Sequence, residues 1–183
     1  MENFTDSGQI PFEGEILANA CYFGLKPSLV AAIVAVESNF RPWAHRYEPA
    51  FKRRYVSPWL RRRKIRANAL ETALLSSSLG LMQVMGLVAC ELGLPPKRVT
   101  ELFVPKGGLW FGCRKIRQLM KRYKGCTEDV ISAYNQGNRR FLDLDGDGLK
   151  DPGEPYRNQA YVDKVLSQMK RFSHLDRRFE RKV

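Results

Sequence analysis

Apolar residues recur along this chain at the three-to-four-residue spacing of buried helix faces, and no stretch alternates convincingly at every second position. Ile16, Leu17, Ala20 and Phe23 share one face of a first helix that Gly24 closes. Residues 29–36 are apolar without interruption, a buried helix segment with Pro27 in its first turn, and the run ends at Glu37. Further helices are predicted over 67–75, over 81–92 as far as Gly93 and Pro95, over 106–123 between Pro105 and Gly125, from Thr127 as N-cap to Asn135, and over 158–171. Between residues 41 and 78 the pattern loosens around Pro42, Pro49 and Pro58, and short helices or ordered loop are expected. The expected architecture is all-α: one domain over 1–183 with its core at about 12–172, an insertion at 41–78, an acidic loop at 143–154 and a basic tail at 173–183.

Glu37 lies three and four residues after Val34 and Ile33, so it shares the stripe of the core side chains. Burial disfavours its ionised form, and the last turn of a helix disfavours an anion further. Both effects raise its pKa. A carboxyl group held protonated near neutral pH is what a general acid needs to protonate a leaving-group oxygen. The competing reading is a buried glutamate satisfied by one Arg or Tyr, and the rest of the chain decides between them.

At 183 residues and 44% hydrophobic, the chain suffices for one sizeable core. No apolar run approaches the roughly 18 residues that a bilayer span requires. Residues 1–8 are polar and acidic, unlike a secretory leader, so synthesis in the cytoplasm and, for any role outside it, delivery by another route are expected. The net charge is +12; residues 143–154 hold five acids against one Lys, a net of −4, which leaves +16 on the remainder. Such a balance implies anionic partners: nucleic acid, a membrane surface or an anionic cell envelope. Cys21, Cys90, Cys113 and Cys126 show no CxxC spacing, with only His45 and His174 to supplement them. That argues against zinc, and mostly buried free thiols are expected.

Four motifs stand in order: Glu37-Ser38, Gly80-Leu81-Met82-Gln83, Ala133-Tyr134-Asn135-Gln136-Gly137, and Tyr161-Val162-Asp163-Lys164-Val165. Each alone is weak. Together, over about residues 29–166, the chain resembles the soluble lytic transglycosylase (SLT) domain family, a lysozyme-like, goose-type fold that cleaves the glycan strands of peptidoglycan. Residues 43–49, with Arg46-Tyr47-Glu48-Pro49, and residues 157–162 resemble the phage and prophage branch of that family, which would account for the missing leader.

Glycoside hydrolysis ordinarily uses two carboxylates, roughly 5 Å apart for retention or about 6.5–9.5 Å for inversion. The resemblance supplies one. It implies that Glu37 protonates the glycosidic oxygen and then, as a base, removes the proton from the C6 hydroxyl of the same N-acetylmuramic acid. That hydroxyl attacks C1 and yields a 1,6-anhydro product, with the N-acetyl group stabilising positive charge at C1. The resemblance further implies that Tyr161 hydrogen-bonds near Glu37, that Gln83 and Asn135 contact sugar, that Met82 and Tyr134 line the cleft, and that Ser38, beside the acid, contacts substrate. Met82 and Tyr134 also suit a core. Many relatives place a substrate-binding Ser in a short loop before the Gly-Leu-Met-Gln stretch, whereas here 42 residues separate Glu37 from Gly80. Ser76, Ser77 and Ser78 are candidates, Ser78 being nearest the motif. The insertion also carries Glu48, which keeps open a hydrolytic muramidase with Glu48 as second carboxylate; its competing role is an ion pair with Arg46 or the basic cluster.

Asp143, Asp145, Asp147, Gly148, Asp151 and Glu154 occupy positions 1, 3, 5, 6, 9 and 12 of an EF-hand-like Ca²⁺ loop, with the Leu149 carbonyl at position 7. Five carboxylates in twelve residues repel one another without a cation, so a single structural Ca²⁺ is expected, holding the return path to Tyr161; no organic cofactor is. Basic clusters at residues 52–66 and 170–182 suit anionic envelope polymers or lipopolysaccharide, or are solvated faces. Nucleic-acid binding is the alternative of a different class, favoured by Tyr55 and Trp59 among arginines, but no recognisable nucleic-acid motif supports it. A structural virion component with an inactive cleft is a third, against which Glu37, Gln83, Asn135 and Tyr161 all stand. A monomer is expected.

Overall fold

A computed structural model describes residues 9–151 and 153–180. The apolar run becomes the middle of helix α2 (Pro27–Ser38), where residues 29–34 are at most 1% exposed. The helices around it cover every side of that run. Helix α1 (Glu13–Phe23) ends at Gly24, whose φ of +61° lets its N–H turn back to the Ala20 and Cys21 carbonyls. Helix α7 (Pro105–Arg122) buries Leu109, Phe111, Cys113, Ile116 and Leu119 and packs on α1 and α8 (Thr127–Gln136). Helix α9 (Gln159–Arg171) lies along α2. Thr127 is the first residue of α8, and Cys126 takes the cap position without a side-chain bond.

The tail departs from expectation by forming a helix, α10 (His174–Glu180), that packs on α2. Asp176 accepts the Ser28 N–H at 2.8 Å and the Ser28 hydroxyl at 2.7 Å. Its carboxylate thus caps the first turn of α2, where the helix dipole favours an anion. Residues 1–8 and the end of the basic tail, including Lys182, lie outside the described residues.

The insertion also corrects the all-helical expectation. Strands β1 (His45–Tyr47), β2 (Ser77–Leu79) and β3 (Val84–Met85) form a small antiparallel sheet, with His45 opposite Leu79 and Ser78 opposite Met85. Strands of two or three residues are too short for alternation to register. Between β1 and β2 run α3 (Pro49–Phe51), a π-helical turn (Lys52–Val56), α4 (Ser57–Arg62) and α5 (Ala69–Leu75), the last opened by a reciprocal capping box between Asn68 and Glu71.

The helix predicted over 81–92 is shortened to α6 (Gly86–Glu91). Residues 80–83 are instead a tight turn, with Gly80 at φ +74° and Gln83 at +46°. The turn is pressed from behind by a 3-10 helix (Pro96–Phe103) that the pattern did not reveal: a Cβ on Gly80 would stand 1.9 Å from the Leu102 carbonyl oxygen. All four thiols are free, but Cys21 and Cys126 are exposed, not buried.

Candidate active site

Glu37 leaves the core stripe in the last turn of α2 and remains half-buried. Tyr161, in the first turn of α9, donates its hydroxyl to Glu37 Oε1 at 2.6 Å, a contact across 124 residues of chain. Burial raises the Glu37 pKa above its ordinary 4.5; the Tyr161 bond and the positive fields of Lys115, Arg46 and Lys164 oppose that rise without cancelling it. Burial and the neighbouring Glu37 likewise push the Tyr161 hydroxyl far up, so it stays a donor.

One functional-site residue escaped the sequence reading. Lys115, on α7, donates from Nζ to the Tyr134 carbonyl at 2.8 Å and lies 4.2 Å from the Tyr134 ring centroid. Burial lowers its pKa to about 8, while Glu37 acts to raise it. The available signal was a lysine on the buried stripe of α7, between Gly112 and Leu119 at helical spacing.

Glu37 borders a cleft of about 510 Å³ whose wall includes Ser78, Gln83, Lys115, Tyr134 and Asn135. Among the three candidate serines, Ser76 and Ser77 turn their hydroxyls back to the Thr72 and Ala73 carbonyls of α5, whereas Ser78 faces the cleft and donates to Met85 Sδ at 3.1 Å. Gln83 Nε2 donates to the Ala44 and Gly80 carbonyls at 2.9 and 3.0 Å, which leaves its Oε1 to accept from a ligand. Tyr134 donates its hydroxyl to the Met82 carbonyl at 2.8 Å. Asn135 accepts at 3.1 Å from Asn158 Nδ2, and Asn158 is itself fastened to Ser132.

Two predicted contacts fall elsewhere. Met82 is fully buried against Gly112, where a Cβ would meet its sulfur at 2.2 Å, and Met85 takes its place in the cleft wall. Ser38 is 3% exposed and donates to the Leu81 carbonyl at 2.8 Å and the Val34 carbonyl at 3.1 Å, so it staples the Gly80–Gln83 turn to α2. Glu48 shares the cleft with Glu37, but its Oε1 accepts from Arg46 Nε at 2.6 Å. Glu37 also borders a second cavity of about 300 Å³, rimmed by Arg41, Lys164 and Arg171.

The acidic loop is closed at its base by a bridge between Phe141 and Tyr156. Asp143 accepts the Gly146 and Gly148 N–H groups at 2.9 and 3.0 Å, Asp145 that of Asp147, and Asp147 that of Leu149. Ligand oxygens of Asp143, Asp145 and Asp147 lie within 4.8 Å of one another, so positions 1, 3 and 5 fit a hard cation. Glu154 instead accepts the Leu144 and Asp151 N–H groups with its two oxygens, and the Leu149 side chain is exposed. Partial burial and the charges of Asp147, Asp145 and Glu154 raise the Asp151 pKa. The loop leads into Tyr156, whose hydroxyl bonds Asp129 at 2.7 Å, and then into Asn158 and Tyr161.

The protein is mostly helical with a small sheet, and the cleft carboxyl of raised proton affinity is held by a tyrosine, an arrangement consistent with the lysozyme-like fold of the family that the chain matches. The family is more specific: the model of the transglycosylase SLT domain matches residues 15–145, and the chain is a member of that family. Membership implies, at family level, a peptidoglycan-cleaving activity of the lytic transglycosylase type. The match takes in Glu37, Ser78, Gln83 and Asn135 and ends before Tyr161. No curated protein matches the chain significantly.

Proposed function

We propose that this chain is a peptidoglycan lytic transglycosylase of phage or prophage type that cleaves the β-1,4 bond between N-acetylmuramic acid and N-acetylglucosamine, with Glu37 as its only acid and base. The observation that carries the reading is the 2.6 Å bond from Tyr161 to a half-buried carboxyl of raised pKa at the cleft. Protonated Glu37 gives its proton to the glycosidic oxygen as the C1–O bond breaks. The resulting carboxylate, stabilised by the Tyr161 hydroxyl and the Lys115 charge, takes the proton of the C6 hydroxyl as its oxygen bonds to C1. One proton enters and one leaves, and the acid is regenerated. The internal nucleophile is already held, so no water has to be positioned. Ser78, Gln83, Tyr134 and Asn135 hold the sugar, while Ser38 and Met82 hold the turn that carries Gln83.

The acidic loop is proposed to bind one structural Ca²⁺ through Asp143, Asp145 and Asp147, with the Leu149 carbonyl, Asp151 and Glu154 completing the set once Glu154 exchanges its backbone partners. Exposed arginines of the insertion are proposed to hold the enzyme, as a single-domain monomer, on anionic envelope polymers or lipopolysaccharide after delivery to the wall. Mass spectrometry of the muropeptides released from purified peptidoglycan tests the mechanism. Products ending in 1,6-anhydro-N-acetylmuramic acid are expected. Reducing ends, heavier by one water, would make the enzyme a hydrolytic muramidase with Glu48, the other cleft carboxylate, as water-activating base.

A further inference from the structure

The cleft that holds Glu37 continues onto the insertion. Phe51 and Tyr55 stand in its wall with ring centroids 4.8 Å apart and planes inclined at 46°. Tyr55 keeps 45% of its surface exposed. A local cause puts them there. Pro58 has no N–H to offer the carbonyl four residues back, and its ring clashes with that carbonyl. The helix therefore widens to the π register over Lys52–Val56, and the Ser57 N–H donates to Lys52, five residues back. Asn138 and Arg140, from the loop after α8, line the same cavity. The Arg54 guanidinium lies 5.4 Å from the Tyr55 ring centroid.

We propose that Phe51 and Tyr55 form a further sugar subsite, on the insertion side of the cleft that Glu37 borders, that takes the C–H face of an N-acetylhexosamine ring of the strand. A pyranose presents C–H groups on its faces and hydroxyls at its rim. Aromatic surface left exposed to water in a polar cleft is covered by such a face, while the rim groups find Asn138 and Arg140. The inference rests on the reading that this cleft receives glycan, and it adds that the insertion sets the preference for longer strands.

The test is a titration of the Glu37→Gln protein with chitooligosaccharides of three to six sugars. Affinity should rise with length in this parent, and Tyr55→Ala or Phe51→Ala should remove the rise, weakening the longest ligand about tenfold and the shortest much less. Tyr55→Trp should retain it. Circular dichroism establishes that each variant is folded. Equal affinity of parent and Tyr55→Ala at every length overturns the proposal, as does a parent that binds none of the oligosaccharides. Length-dependent binding through Tyr55, together with no cleavage of peptidoglycan by the protein with Glu37 intact, would uphold the subsite and overturn the transglycosylase reading alone.

Discussion

At the scale of single residues, the Glu37 environment favours the protonated carboxyl, and that preference has a sign in both stability and rate. A carboxyl whose folded pKa lies above its unfolded value contributes stability fully below the unfolded pKa, and the contribution is lost as pH rises through the folded pKa. Glu37→Gln should abolish cleavage yet stabilise the fold at neutral pH, read as a higher Tm than that of the wild type. The gain should vanish below the ordinary Glu37 value of 4.5, where both states of the wild type are protonated. Thermal melts of the two proteins between pH 4 and pH 8 check this.

Tyr161→Phe removes a bond to the carboxylate form and should lower kcat about 10- to 100-fold. It should also move the alkaline limb of kcat/KM to higher pH, because it raises the Glu37 pKa further. Lys115→Met should shift that limb the same way, since a positive charge near Glu37 is lost. A limb that stays in place in both variants would exclude Glu37 as the titrating acid.

At the scale of elements, α10 and the acidic loop hold the two helices that bring Glu37 and Tyr161 together. Asp176→Ala removes the carboxylate cap of α2 and should cost about 1–2 kcal/mol, read as a lower denaturation midpoint in urea. If the loop binds Ca²⁺, saturation at about 100-fold over Kd adds about 2.7 kcal/mol, roughly 5–10 °C in Tm, reversed by EDTA together with activity. An unchanged melt in excess EDTA would exclude the metal.

Elements differ in how far the sequence revealed them. Helices α1, α2, α7 and α9 were legible because each buries a stripe at helical period and is bounded by a recognisable signal: Gly24 closes α1, Pro27 and Pro105 open α2 and α7, and α9 carries the Tyr161 motif. The sheet and the 3-10 helix were not, since their form is set by partners distant in sequence: β1 pairs with a strand some thirty residues on, and Gly80 turns where the Leu102 carbonyl presses on it. The Glu37–Tyr161 contact was legible only from the order of four motifs. The split among Ser76, Ser77 and Ser78 was not legible, because it depends on which hydroxyls α5 takes.

At the scale of the whole molecule, the net charge is +12, and part of its excess lies on the insertion, where Arg53, Arg54, Arg61, Arg62, Arg63, Lys64 and Arg66 all face solvent. No helix among the described residues is long and apolar enough to cross a membrane. Neutralising Arg61, Arg62 and Arg63 together should weaken sedimentation with intact walls and reduce its salt dependence, while the rate on short soluble strands stays the same.

In the proposed mechanism a single carboxyl serves as acid and then as base while the sugar supplies its own nucleophile. Digestion of peptidoglycan in H₂¹⁸O tests it most directly, because the isotope reports whether solvent oxygen enters the product. The new muramic-acid ends should be 1,6-anhydro and carry no ¹⁸O. Ends that carry one ¹⁸O would contradict it and make the reaction a hydrolysis.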